Sequence, residues 1–148
     1  MANSIIQIRR ATEKDFPQWI SMRKQLWPHA SFDELKEAEH LSKADNFVCF
    51  FAESDTFVAG FIELALRPYV NGCNTSPVAF IEGIWVDDKL QKRGIGNLLV
   101  MKAEEWARSL SIKELASDTR IESDHSIHAH KAWGFEETER VVYFKKDL

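Results

Sequence analysis

Apolar and polar positions alternate over residues 5–10 ("IIQIRR"), and that period of two predicts a first strand. Thr12, with Asp15 three residues on, then has the form of a capping box. It predicts a helix reaching about Leu26, which Pro28 stops. A second box, Ser31 with Glu34, predicts another helix carrying Leu35, Ala38 and Leu41 on one face. "NFVCFFAES" and "TFVAGFIELAL" read as the two strands of a hairpin turning around Ser54 and Asp55. "RPYVNGCNTSP" carries two prolines and an Asn-Gly step, so it reads as a loop. "VAFIEGIWV" is apolar almost throughout, as a central strand covered on both faces would be.

A long helix follows, to about Leu110. Its apolar stripe is Ile95, Leu98, Leu99, Ala103, Trp106 and Leu110, with Lys102, Glu104, Glu105 and Arg108 turned to water. "KELASD" is a short strand, "SDHSIHAHKAW" a short helix that Gly134 closes, and "FEETERVVYFKKDL" a last strand. No repeat, linker or low-complexity segment interrupts this order. One α/β domain over residues 1–148 accounts for the whole pattern.

Composition narrows the setting. The chain has 148 residues, 45% of them hydrophobic and 28% charged, which suits a globular domain with one core. No apolar run is long enough to span a bilayer and no leader pattern opens the sequence, so the expected location is cytoplasmic, with no membrane partner. The net charge of −4 argues against nucleic acid and leaves room for a cationic ligand. Cys49 and Cys73 make neither a metal-ligand pattern nor a disulfide framework, and Cys49 reads as a buried thiol.

The candidate chemistry starts in "LQKRGIGNLLV", residues 90–100, where Gly94 and Gly96 stand at the mouth of the long helix. Glycine weakens a helix, so a pair there needs a reason. Free N–H groups and the helix dipole at such a mouth suit an anion, and glycine lets a phosphate approach without meeting a Cβ. Lys92 and Arg93 add charge at the rim. The alternative is a plain glycine turn with solvated basic residues. A P-loop would need G-x-x-x-x-G-K-[ST], which is absent. A dinucleotide fingerprint would need a third glycine where Leu99 stands.

What remains, Gln91-x-x-Gly94-x-Gly96 after a central strand, resembles the acetyl-CoA loop of the GNAT N-acetyltransferase superfamily. The strand order, the long helix and "HKAWGF" near the C-terminus match the same family. The resemblance implies an α/β GNAT fold, with a mixed sheet of about six to seven strands and about four helices. It implies acetyl-CoA as co-substrate and no metal. Gln91, Lys92, Arg93, Gly94, Ile95, Gly96 and Asn97 would wrap its pyrophosphate. Ile84, Trp85 and Val86 would offer backbone hydrogen bonds to its pantetheine arm, on a strand splayed from its neighbour. Ser123 stands where relatives often carry Asn, so that pantetheine contact is expected to be weaker or different.

Five further stretches, "RKQLWP", "YVNGCNTSP", "FIEGIWV", "ELASDT" and "GFEETERV", are similar to the aminoglycoside 6′-N-acetyltransferases, chiefly their short single-domain branch. This resemblance implies a polycationic aminoglycoside as substrate and a homodimer. Trp27, His29, Tyr69, Glu82, Asp118 and Glu139 would line its site, His29 departing from the family spacing just after Pro28. The residues agree in kind, because ammonium groups call for carboxylates and aromatic rings. Glu82 interrupts an apolar strand, where a carboxylate is costly unless paired or facing a cleft. Asp118 closes a strand at the carboxyl end, where open α/β sheets bind ligands. Each has a plainer reading: Glu82 bonded to a loop, Asp118 capping a turn, Trp27 in the core, Tyr69 anchoring a loop, Glu139 on a solvated strand.

Acetyl transfer needs a neutral amine, so Asp118 or Glu82 is expected to serve as base, directly or through water. Many GNAT enzymes place a tyrosine, as acid to the departing thiolate, where this chain has His130; imidazolium suits the same task, or the ring simply hydrogen-bonds within its helix. His125, His128 and His130 do not share one helix face, which speaks against a metal. Rival activities are transfer to another polyamine or a protein amine, a non-catalytic acyl-CoA sensor, and a dinucleotide-dependent oxidoreductase.

Overall fold

The computed structural model describes residues 5–148 of the chain; residues 1–4, where the absent leader pattern is partly read, lie outside them. Strand β1 (Gln7–Arg10) leads through a 3-10 turn into helix α1 (Phe16–Leu26). The Asp15 carboxylate accepts the Thr12 backbone N–H at 2.7 Å, the return half of the expected box. Helix α2 (Phe32–Leu41) opens on a complete box: Glu34 N–H donates to Ser31 Oγ at 3.1 Å and Ser31 N–H to Glu34 Oε2 at 3.2 Å. Strands β2 (Phe47–Glu53), β3 (Val58–Arg67) and β4 (Val78–Val86) follow, then helix α3 (Ile95–Ser109), strand β5 (Leu115–Ala116) and helix α4 (Asp124–Ala132).

The strands form one sheet in the order β1-β2-β3-β4-β5, antiparallel except for the parallel β4–β5 pair. Two apolar layers sandwich it. On one face Ile62, Leu64 and Ile81 pack with Ile95, Leu99 and Ala103 of α3. On the other, Phe47, Phe51 and Phe61 pack with Trp19 and Met22 of α1 and Ala38 of α2.

The sheet has five strands, not six to seven, and the expected C-terminal strand is what is missing. Residues 136–148 run outside the sheet although they include the apolar run Val141–Phe144. Thr138 packs against Gly72, after which Tyr143 is 80% and Phe144 92% exposed. The α3 stripe is also rotated from the expected one. Val100 and Ala107 are buried, while Leu98 and Leu110 are exposed, because the contact follows the i, i+4 row from Ile95 through Leu99 and Ala103.

Two departures from regularity shape the sheet near its carboxyl edge. Strand β4 pairs with β5 only at Ala79–Leu115 and Phe80–Ala116, so the two strands part beyond Phe80 into a fork. Across β3 the register slips between Glu63 and Leu64: Gly83 opposes Glu63, Ile81 opposes Leu64, and Glu82 is the extra residue of a bulge. Such a bulge re-aims side chains. Glu82 and Gly83 both face the α1 side, Glu82 toward Arg67 and Gly83 beneath Trp27.

Candidate active site

The loop after β4 supplies the first half of the site. Lys92 (φ 62°) and Gly94 (φ 81°) both adopt the left-handed conformation, which turns the chain sharply into α3. Gly94 is the N-cap and has no side chain to offer. The first helical bond runs from Leu98 N–H to Gly94 carbonyl at 3.1 Å, so the amides of Ile95, Gly96 and Asn97 precede it uncapped. These are the donors an anion would take.

The two glycines serve different ends. A Cβ on Gly94 would meet nothing within 4 Å, so Gly94 is required for its backbone angle. At Gly96 the physical reason differs from phosphate approach: a Cβ would lie 2.8 Å from the Trp133 ring. Gly96 thus lets the start of α3 touch the end of α4. Lys92, Arg93 and Asn97 are exposed; Gln91 Nε2 donates to Val86 carbonyl at 3.3 Å and to Asp88 Oδ1 at 3.1 Å, tying the loop to β4. Ile84, Trp85 and Val86 are half-buried along the stretch of β4 that β5 leaves unpaired. Ser123 is the N-cap residue of α4, yet its side chain makes no capping bond.

The second half lies across the bulge. Trp27 follows α1 and lays its ring on Gly83, so close that a Cβ there would sit 2.8 Å from it. Glu82 is held by Arg67 in a two-pronged pair, Nε to Oε1 at 2.8 Å and Nη2 to Oε2 at 2.7 Å. The Arg67 guanidinium stacks 3.6 Å from the centroid of the Phe80 ring. The Glu82 pair, with the Asp118 charge adding to it, holds Arg67 above its usual pKa range. Arg67 was not singled out by sequence. The apolar run before it did signal a strand, and an arginine at a strand's end beside a glutamate-bearing neighbour was the available cue.

Asp118 lies just past β5 and is exposed, with no hydrogen bond or ion pair among the described residues. The arrangement therefore places Glu82 on Arg67 and Trp27 on the neighbouring Gly83, with Asp118 just past the end of β5. It leaves His29 and Tyr69 exposed on their loops, and Glu139 exposed on the C-terminal tail beside Thr138. Tyr69 belongs to a loop fastened from below, where Glu114 Oε1 accepts the backbone N–H groups of Asn74 at 2.8 Å and Thr75 at 2.7 Å. Those donors, the Thr75 hydroxyl first, hold the Glu114 carboxyl below its usual range.

A second arginine missed by sequence, Arg23, lies beneath Trp27. It gives Nε to Glu63 Oε1 at 2.6 Å and Nη2 to Oε2 at 3.2 Å, while Trp19 Nε1 donates to Oε1 at 2.7 Å. Its remaining nitrogen donates to the carbonyls of Glu34 (3.0 Å) and Leu35 (2.8 Å). One side chain thus joins α1, α2 and β3 at the root of the loop carrying Trp27 and His29.

Neither thiol has the surroundings of a nucleophile. Burial pushes both Cys49 and Cys73 up, and the Glu114 charge adds to the shift at Cys73. The histidines of α4 are engaged separately, His128 Nδ1 with Asp124 carbonyl at 2.8 Å and His130 Nδ1 with Ser126 carbonyl at 2.7 Å. Among the described residues no three His, Cys, Asp or Glu side chains gather as metal ligands.

A parallel strand pair that forks, an uncapped glycine-rich helix start beside the fork, and carboxylates across it form a recognisable whole. Residues 5–135 match the model of the acetyltransferase (GNAT) family, and the chain belongs to that family. Its relatives are specific in kind. It is 43% identical over 150 residues to an aminoglycoside N(6′)-acetyltransferase type 1 of Stenotrophomonas maltophilia, covering 100% of this chain and 97% of the relative. It is 38% identical over 143 residues to one of Salmonella enteritidis, covering 95% and 99%. Among solved structures, aminoglycoside N-acetyltransferase AAC(6′)-Iy in complex with CoA superposes with a TM-score of 0.94 at 38% identity, covering 99% of this chain and 98% of the other. The same enzyme bound to the bisubstrate analogue CoA-S-monomethyl-acetylneamine gives 0.92, covering 98% and 100%.

Proposed function

We propose that the protein transfers the acetyl group of acetyl-CoA to the 6′-amine of an aminoglycoside by direct attack, without an acyl-enzyme. The observation that carries this reading is the β4–β5 fork, open between two chemically distinct halves. On one side stand the uncapped amides of Ile95, Gly96 and Asn97, suited to the pyrophosphate. On the other stand Trp27, Glu82 and Asp118, suited to a ring bearing ammonium groups. The relatives of 38–43% identity carry that substrate class in their names.

In this reading the splayed backbone of Ile84, Trp85 and Val86 pairs with the pantetheine arm, and its N–H groups polarise the thioester carbonyl. Lys92 and Arg93 add charge at the pyrophosphate, Gln91 braces the loop, and Ser123 lies along the arm. Trp27, His29, Tyr69 and Glu139 surround the sugar rings. Asp118 takes the proton from the 6′-ammonium, because it is free of partners, whereas Arg67 occupies both oxygens of Glu82. Glu82 is then a fixed acceptor that orients an ammonium group.

The enzyme acts as a single domain over residues 1–148, in the cytoplasm and as a homodimer. No helix among the described residues is long and apolar enough to cross a membrane. The dimer is supported by the exposed Val142, Tyr143 and Phe144, a contiguous apolar strip that a second copy would cover. Deleting residues 141–148 should then convert a dimer into a monomer in light scattering; an unchanged mass removes this support.

The test of function is thiol release from acetyl-CoA across aminoglycosides with and without a 6′-amine. Release confined to those bearing the amine is expected. Release with linear polyamines or peptide amines, but not with aminoglycosides, assigns the protein to another acceptor.

A further inference from the structure

His130 meets the end of β5 through Ser117. Its ring is half-buried between Trp133 and Phe135, with centroids 5.2 and 5.5 Å away. Nδ1 lies 2.7 Å from the Ser126 carbonyl, which can only accept, so the proton of the neutral ring resides on Nδ1. Nε2 is then a bare acceptor, and 2.8 Å from it lies the Ser117 hydroxyl. Ser117 is the first residue beyond Ala116, the last paired residue of β5. It therefore stands at the crotch of the fork, on the wall opposite β4. Asp118, one residue on, is exposed.

We propose that Ser117 is a further catalytic residue, the proton donor to the coenzyme A thiolate, with His130 behind it as the positioning residue that resupplies the proton. This rests on the acetyl-transfer reading of the fork. For the relay, Nε2 carries a second proton supplied by solvent acid (hydronium or buffer). Nε2–H now donates to Ser117 Oγ, which turns the hydroxyl hydrogen outward into the fork. As the carbon–sulfur bond breaks, its electron pair goes to sulfur and the Ser117 hydrogen passes to that sulfur. Ser117 Oγ takes the Nε2 proton, and the ring returns to the neutral Nδ1–H form bonded to Ser126. No acyl group rests on Ser117, and no oxidant or further reactant is needed.

The plainer role of the pair is a strut pinning α4 to β5, and the two differ in what a substitution does. His130→Gln preserves the strut, since an amide can donate to the Ser126 carbonyl and accept from Ser117, but it cannot deliver a proton. Ser117→Thr keeps the hydroxyl; Ser117→Ala removes it. Single-turnover acetyl transfer to an aminoglycoside should fall at least tenfold in Ser117→Ala and equally in His130→Gln, with the acetyl-CoA KM within threefold of wild type. Ser117→Thr should recover most of the rate. The Ser117→Ala/His130→Gln double variant should be no slower than the slower single one, because both remove the same relay. Wild-type rates in either folded single variant, or losses that multiply in the double, would overturn the relay. A wild-type chain that turns over no aminoglycoside would instead overturn the proposed function.

Discussion

Two arginine–glutamate pairs flank the β4 bulge, alike in chemistry and opposite in setting. Arg23 and Glu63 have side chains 7% and 1% exposed, and every nitrogen of the guanidinium that faces an acceptor is used. Arg67 and Glu82 are 41% and 28% exposed, with one face of the guanidinium on Phe80 and the other open. The bulge makes the difference. Glu63 opposes Gly83 on the closed side, under Trp27, while the extra residue, Glu82, is turned toward Arg67 at the end of β3. A buried pair of this kind fixes geometry, since losing one partner strands a charge away from water. An open pair contributes little to stability and leaves its carboxylate within reach of a ligand.

Breaking the closed pair should give the largest effect. Glu63→Ala or Arg23→Met should lower unfolding free energy by about 3–5 kcal/mol in urea titration. Replacing both, as Arg23→Met/Glu63→Leu, should recover much of that loss. If the single variants lose under 1 kcal/mol, the pair is no anchor.

The open pair should respond the other way round. Arg67→Met should change stability by at most about 1 kcal/mol. Its kcat/KM for an aminoglycoside should nevertheless fall about tenfold, because the Glu82 carboxylate loses its fixed aim. The KM for acetyl-CoA should be unmoved. A large stability loss with normal kinetics would make Arg67 a second anchor and erase the contrast.

A third arginine, at the far edge of the sheet, sharpens the comparison with the smallest effect. Arg9 bridges Asp15 (2.8 Å) and Glu53 (2.6 Å) on partly exposed ground. Its guanidinium holds the Asp15 carboxyl below the usual carboxylate range. Stability from that shift is full above the unfolded aspartate value, about 3.9, and fades as pH falls through the lowered folded value. Asp15→Asn should therefore flatten the loss of stability below about pH 4 while leaving activity at neutral pH intact. An unaltered acid slope would show that the bridge is not coupled to folding.

What could be read from sequence follows the range of the interactions concerned. The hairpin β2–β3, strand β4 and helix α3 announce themselves through local apolar periodicity, and Ser31 with Glu34 marks the start of α2 within four residues. The glycine loop was legible as a turn into a helix, but not the reason for Gly96, since Trp133 belongs to another helix. The bulge was illegible because it is a mismatch between two strands, and no property of "VAFIEGIWV" alone reveals it. Arg23 and Arg67 escaped for the same cause, their partners lying 40 and 15 residues away. The final segment misled through its apolar run. Val141–Phe144 reads as a strand, yet among the described residues no strand of the sheet pairs with it.

The central claim is a division of labour: Glu82, pinned by Arg67, orients the substrate, and the unpartnered Asp118 accepts its proton. Asp118→Asn and Glu82→Gln keep shape while removing charge, so their pH-dependent kinetics against one aminoglycoside test it most directly. Asp118→Asn should lower kcat by roughly 10²-fold or more and abolish the acidic limb of the profile. Glu82→Gln should mainly raise the aminoglycoside KM, with kcat within a few-fold. The reverse pattern, Glu82→Gln without turnover and Asp118→Asn with a normal kcat and profile, would contradict the assignment.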